Sequence, residues 1–275
     1  MLWLGDNVYL REPDWNSKTG INHRYTHTRS IKELQPLLAS THHYAIWDDH
    51  DFGPNNSDRG FWNKNQSLET FKNFWGNPSF GIGELKGAIT SFQYSDVDFF
   101  LLDNRFHRSP NNLKAENKTI LGKKQLQWLK DVLLTSEAKF KIVAIGGQFL
   151  TTVQMHETYS NNAFKSERDE IINFIYDHNI KNVIFLSGDR HFTELSLLKD
   201  EGKPSIYDLT TSSFTAGSNT WGDREINDLR QEGTLVMEHN FSLLRFTGSE
   251  KDRKIIIKVL NGYGKLLWER EIKAE

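Results

Sequence analysis

Val183-Ile184-Phe185-Leu186-Ser187-Gly188-Asp189-Arg190-His191 sets the frame for the whole chain. Its four leading apolar residues, free of proline, read as a strand buried on both faces, as in parallel or mixed sheets. The glycine lets the chain turn sharply where the strand ends. An acid, a guanidinium and an imidazole then follow at the carboxyl end, where open α/β sheets place their ligands. The same grammar recurs twice. Leu2-Trp3-Leu4 runs into Gly5-Asp6-Asn7-Val8-Tyr9, and Tyr44-Ala45-Ile46-Trp47 runs into Asp48-Asp49-His50-Asp51. Three strands discharge carboxylates and metal-competent side chains at one end, a pattern that points to a site for hard cations.

Between these stretches, strand and helix patterns alternate, which indicates α/β architecture. Residues 90–94 and 97–102 read as strands around a tight turn at Ser95-Asp96, the second running into Asp103-Asn104-Arg105-Phe106-His107-Arg108. Residues 61–75, 121–134 and 166–178 carry apolar side chains at helical spacing. Phe140 to Ile145 is a further strand ending in Gly146-Gly147-Gln148. Residues 11–29, polar and rich in Trp, Asn, Arg and His, read as a functional loop in which Trp15, His23, Arg24 and His27 line a substrate mouth or meet solvent. Ser30 is placed to cap a helix through Ile31, Leu34, Leu37 and Leu38, with Glu33 three residues on. From Thr193 onward five strand patterns follow, the last two joined by the Asn261-Gly262-Tyr263-Gly264 hairpin turn. This half is expected to be antiparallel and to form a second sheet packed on the first.

Composition narrows the function. A chain of 275 residues buries a large core, and with no repeat or linker it reads as one domain over 1–275. Lys+Arg 34 against Asp+Glu 36 gives a net charge of -2, so no global basic field recruits nucleic acid. The absence of cysteine excludes disulfides, thiolate metal sites and cysteine nucleophiles. No apolar run approaches the roughly 18 residues of a membrane helix, and the opening residues do not read as a signal peptide. The opening Met1-Leu2-Trp3-Leu4 is a buried-strand pattern with no polar lead-in, so further sequence upstream is expected.

Taken singly, each strand-end residue has a plain structural explanation. Asp6 and Tyr9 suit a turn and its rim, Asp49 and His50 a helix start, His191 a hydrogen-bonded histidine. Their coincidence at three strand ends favours a metal site, because buried like charges repel unless a cation lies between them. A sugar-binding module would account for the eight tryptophans but not for these acids. Arg105 and Arg190 suit a phosphate clamp, since a guanidinium fork matches phosphate oxygens, or else ion pairs, Arg105 with Asp103 and Arg190 with a nearby acid.

The ordered motifs Gly5-Asp6-Asn7-Val8-Tyr9, Trp47-Asp48-Asp49-His50-Asp51, Leu102-Asp103-x-Arg105 and Gly188-Asp189-Arg190-His191 together resemble the alkaline phosphatase D branch of the calcineurin-like metallophosphoesterases. The resemblance implies a sandwich of two mixed β-sheets flanked by helices, with a dinuclear metal site between the sheets. It implies that Asp6 bridges the metals and that Tyr9 binds a ferric-type metal, as in purple acid phosphatases. Asp49, Asp189 and His191 fall at further ligand positions, and His50 at that of the catalytic histidine. Carboxylates in place of nitrogen ligands favour calcium beside Fe3+. Arg105 is then a catalytic residue, Arg190 and Asn55 are substrate-binding residues, and a metal-bound hydroxide attacks a small or polymeric phosphate ester. A periplasmic or secreted location is implied likewise. Two departures stand out. The family's further ligand on a preceding strand has no counterpart here, and Gln148 stands where a ligand histidine is expected. An impaired remnant, or a scaffold that binds phosphoesters without cleaving them, is therefore the alternative.

Overall fold

The computed structural model describes residues 1–155 and 158–275. In chain order the elements are β1 (Leu2–Leu4), α1 (Glu12–Trp15), α2 (Lys18–Arg29), α3 (Gln35–Ser40), β2 (Tyr44–Ile46), α4 (Asp49–Phe52), α5 (Lys64–Phe74), β3 (Thr90–Tyr94), β4 (Val97–Leu101), α6 (Lys123–Thr135), β5 (Phe140–Ile145), α7 (Lys165–Asp177), β6 (Val183–Ser187), β7 (Glu194–Leu198), β8 (Ile206–Thr210), β9 (Asn240–Thr247), β10 (Lys254–Asn261) and β11 (Leu266–Lys273).

A six-stranded mixed sheet of order β3-β4-β5-β6-β8-β7 forms the centre. Strands β4, β5, β6 and β8 run parallel, while β3 and β7 are antiparallel edges. The β4-α6-β5-α7-β6 path explains the parallel pairing, because each helix carries the chain back to the same end of the sheet. Every residue of β5 and β6 is buried, since both faces of the sheet are covered. On one face α6 and α7 set Leu126, Leu129, Leu133, Ile171 and Ile175 against Phe100, Val143, Val183 and Phe185. On the other, Ile142, Ile184 and Leu186 meet Ile255, Ile257 and Val259, the alternate residues that β10 turns inward. The facing layer has two pieces, the antiparallel β11-β10-β9 sheet and the parallel β1-β2 pair. Outside β1 and β2, helices α2 and α5 bury Ile21, Tyr25, Leu68 and Phe71 with Trp3 and Trp47. The expected sandwich of sheets between helices is thus present. Among the described residues no helix is long and apolar enough to cross a membrane.

Three local expectations are corrected. Residues 11–29 form two helices, α1 and α2, with a short break at Asn16-Ser17, not a loop. Ser17 caps α2 by accepting from the Gly20 N–H at 3.0 Å, and Ile21 and Tyr25, one turn apart, are the buried stripe that a polar sequence concealed. Ser30 closes α2 rather than opening the next helix, its hydroxyl donating to the His27 carbonyl at 2.7 Å. The following segment starts as a 3-10 turn at Lys32–Leu34 and becomes α3 only from Gln35. Finally, β7 and β8 belong to the central sheet, so the separate antiparallel sheet contains β9, β10 and β11 alone.

Ile257 is fully buried where the three-stranded sheet meets the central one. Ile257→Ala is expected to lower the unfolding free energy by about 2–5 kcal/mol, read as a shift of the urea midpoint. Lys258→Ala, on the outer face of the same strand, is expected to shift it by less than about 0.5 kcal/mol.

Candidate metal centre

Turn geometry at the strand ends decides where the acids stand. Gly5 (φ +95°) and Asp6 (φ +51°) both occupy the left-handed region as the chain leaves β1. Asn7 ties this end to its neighbour, donating from its backbone to Asp51 at 3.0 Å and from its side chain to the Ile46 carbonyl at 2.9 Å. Beyond β2, Asp48 opens α4, and its N–H donates back to Asp51 at 3.1 Å. Beyond β6, Asp189 (φ 64°) and His191 (φ 56°) are again left-handed, a backbone that non-glycine residues hold only where the surroundings impose it. Glycines permit these ends to touch. A Cβ on Gly188 would lie 2.6 Å from the Leu4 carbonyl oxygen, and one on Gly146 would lie 2.8 Å from Asp48 Cγ.

The side chains form two overlapping groups. Donor atoms of Asp6, Asp49 and His50 all lie within 4.8 Å of one another. The Tyr9 hydroxyl is 3.4 Å from Asp6 Oδ2 and 3.0 Å from His191 Nε2. Asp6 belongs to both groups. The Tyr9 and His50 rings lie 4.5 Å apart, centroid to centroid. Asp6, Tyr9, His50, Asp189 and His191 are all partly exposed, whereas Asp48, Asp49 and Asp51 are buried behind them.

Charge crowding is the electrostatic signature of this cluster. Burial, and then the charges of Asp48, Asp49, Asp51 and Asp189, hold the Asp6 carboxyl well above the usual range. Burial pushes Asp51 up to about 8. Tyr9 is raised by burial and by Asp6. Asp49 goes the other way. Burial alone would raise it, but Arg105, His50 and the N–H of Asn56, which donates at 2.6 Å, bring it below the ordinary value. Burial lowers His191, which keeps the imidazole neutral and able to ligate. Its backbone is held as well, the N–H donating to Ser212 Oγ at 3.1 Å. Carboxylates, a phenol and imidazoles in one crowded cluster are a donor set that fits hard cations.

Other expected residues stand elsewhere. Arg105 is buried and its Nε pairs with Asp48, not with Asp103, while Nη2 is 3.8 Å from Asp49. Asp103 Oδ1 instead accepts the backbone N–H groups of Arg105 and Phe106. Arg190 pairs with Glu225 and lies over the Phe192 ring. Both guanidiniums are thus taken up by carboxylates. Asn55 is exposed on the loop after α4, and its neighbour Asn56 is the residue whose N–H holds Asp49. His43 accepts from the Trp3 indole at 3.0 Å, a structural role. Sequence reading passed over Asp48 and Asp51 as participants. Their i, i+3 spacing at a helix start is the signal that marks them as reciprocal caps.

Gln148 Nε2 donates to Glu194 at 2.9 Å and to Thr210 Oγ1 at 2.8 Å. It belongs to a buried polar network behind the strand ends. Glu194 also accepts from Asn227 at 2.7 Å and pairs with Arg230, while Asp208 accepts from the N–H groups of Phe149 and Leu150 and from Ser187. The network anchors the loop after β5 to β7 and β8.

The two-sheet α/β sandwich, with acids, histidines and a tyrosine at its strand ends, has a metallophosphoesterase-like fold. Residues 78–253 match the family of PhoD-like phosphatases, and the chain belongs to that family. That span includes Asp189 and His191 but not Asp6, Tyr9, Asp49 or His50. The chain is 27% identical over 284 aligned positions to alkaline phosphatase D of Bacillus subtilis (strain 168), covering 86% of this chain and 48% of that protein. It therefore spans about half the length of that relative. Among solved structures, that of PhoD superposes with a TM-score of 0.74 at 18% identity, over 100% of this chain and 66% of that one. Purple acid phosphatase PPD1 from yellow lupin gives 0.61 at 10% identity, over 99% and 46%. These two likenesses are likenesses of fold.

Arg105→Ala is expected to lower unfolding free energy by about 3–5 kcal/mol, because it strands Asp48 in the interior. A guanidinium serving only as a ligand clamp would leave the denaturation midpoint in place. Asp208 supplies a pH test. Burial raises it from 3.8 to about 6, so the folded chain keeps a proton that the unfolded chain releases. The stabilising effect is complete below pH 3.8 and is lost as pH rises through about 6. Asp208→Asn is expected to flatten that part of the stability–pH curve, read by urea unfolding of the metal-stripped protein across the window.

Proposed function

We propose that this chain is a metal-dependent phosphoesterase whose two cations share Asp6. The position of that carboxylate, in contact with Tyr9 on one side and grouped with Asp49 and His50 on the other, carries the reading. Tyr9, His191 and Asp6 would hold one cation, and the phenol suits Fe3+. Asp49, Asp189 and Asp6 would hold the other, and an oxygen-rich set suits Ca2+. When bound, such cations supply charge neutralisation for an anionic ester and a water acidified toward neutral pH.

The chain's own residues supply the rest. The buried Arg105–Asp48 pair fixes the strand end from which Asp49 and His50 start, and the Arg190–Glu225 pair fixes the His191 turn. Both arginines are positioning residues. His50 is partly exposed, against the Tyr9 ring, and it protonates the departing ester oxygen as general acid. Exposed Asn55 offers an amide to the substrate. Family membership and the match to alkaline phosphatase D support a phosphate ester as substrate. A location outside the cytoplasm, periplasmic or secreted, goes with this reading, because calcium sites of modest affinity fill there. Gln148 favours a second reading. With its amide donated to Glu194 and Thr210 rather than replaced by an imidazole, the chain would bind phosphoesters as a scaffold without cleaving them.

Elemental analysis after loading with iron and calcium, together with hydrolysis of a phosphoester panel, separates the two. About two metals per chain with turnover supports the enzyme; at most one metal without turnover supports the scaffold. Asp6→Ala is expected to remove both metals. Tyr9→Phe is expected to abolish the visible charge-transfer band of an iron-loaded sample. His50→Ala is expected to retain the metals and slow turnover by about 10²–10⁴-fold, and metal loss in that variant would make His50 a ligand instead.

A further inference from the structure

Trp221 is 59% exposed, whereas Trp3 is 9% exposed and Trp47 is fully buried. Single exposed aromatics are common, but this one stands on a segment pinned to the His191 turn on both sides. Upstream, the Asn219 N–H donates to the His191 carbonyl at 2.8 Å. The Asn219 side chain donates to the Arg190 carbonyl at 3.2 Å and accepts from the Trp221 N–H at 2.8 Å. Downstream, Glu225 pairs with Arg190. Between these anchors the Gly222 backbone is pressed against Phe192, where a Cβ would lie 2.9 Å from the ring. With the backbone held inward, the indole faces solvent. The Arg224 guanidinium lies 4.0 Å from its ring centroid, so a positive charge accompanies the open aromatic surface. Phe214 and Ile226, 38% and 81% exposed, lie on the same segment.

From this arrangement we infer that Trp221 and Arg224 form a subsite for a planar aromatic or nucleobase group attached to the phosphate. The inference rests on the phosphoesterase reading of the strand-end cluster and names the substrate class that cluster takes. His191 ties the subsite to the centre. Its carbonyl accepts from the Asn219 N–H of this segment at 2.8 Å, and its imidazole contacts the Tyr9 hydroxyl at 3.0 Å. A phosphate seated among Asp6, Tyr9 and His191 would therefore have beside it the segment that carries Trp221. Stacking suits an indole there, because any flat π-face is accepted without specific hydrogen bonds. Arg224 adds a cation to the stack and attraction for a second anionic group on the ligand.

The test compares phosphoesters of thymidine with the matching esters of glycerol, using metal-loaded full chain. Trp221→Ala is expected to lower the thymidine-to-glycerol ratio of kcat/KM on the order of tenfold, mainly through KM, and Trp221→Phe to recover most of the ratio. An unchanged ratio in Trp221→Ala overturns the inference. Saturation-transfer NMR with thymidine monophosphate and glycerol phosphate reads binding without turnover. Base protons receiving saturation in the wild type but not in Trp221→Ala support the subsite, and equal transfer in both removes it. A wild-type protein that hydrolyses neither ester class rejects the phosphoesterase reading, and the NMR comparison still decides the subsite.

Discussion

Repulsion among Asp6, Asp48, Asp49, Asp51 and Asp189 is the constraint that orders the rest of this molecule. Two unit charges about 4 Å apart repel by about 4 kcal/mol at the effective dielectric of a protein surface. A few such terms rival the whole net stability of a domain, about 5–15 kcal/mol. The fold relieves the strain in three ways. Arg105 is driven into the interior to meet Asp48 and Asp49. Backbone N–H groups are directed at Asp49 and Asp51. Asp6 and Asp51 hold their protons more tightly than free carboxylates do. What remains faces the opening, and it is there that cations are called for.

The scaffold explains why so many acids converge. Strands β1, β2 and β6 end at the same level because the small parallel pair packs against the central sheet through Leu2, Leu4, Ile46, Leu101 and Ala144. The shared side chains come from far apart in the chain, and the polar network of Gln148, Glu194 and Asp208 keeps the last of these ends in register. The site is thus a product of layer packing rather than of any one loop.

Much of this was legible in the sequence. The buried runs at 140–145 and 183–186 carry no polar alternation, and that is how a strand covered on both faces reads. The gathering of Asp6, Tyr9, Asp49, His50 and His191 followed from three strand ends sharing one pattern. Other features depended on partners far along the chain. Arg105 next to Asp103 suggested a local pair, but Asp103 is consumed by backbone N–H groups, and Asp48 takes the guanidinium across 57 positions. Helix α2 has only Ile21 and Tyr25 as its buried stripe, too little apolar content to outweigh its polar residues. The membership of β7 and β8 in the central sheet was hidden because strand patterns do not say which neighbour they will meet.

The contact of Gly188 joins backbones that belong to different layers. The Leu4 carbonyl meets Gly188 with no side chain between to cushion the approach, while the Asp48 carboxyl and the Asn104 amide fill the space beside Gly146. Any sliding of one sheet over the other is therefore passed on undamped to the strand ends that carry the acids. The acid cluster thus registers how well the two sheets are seated, so damage to the distant sandwich core would first be felt at these strand ends.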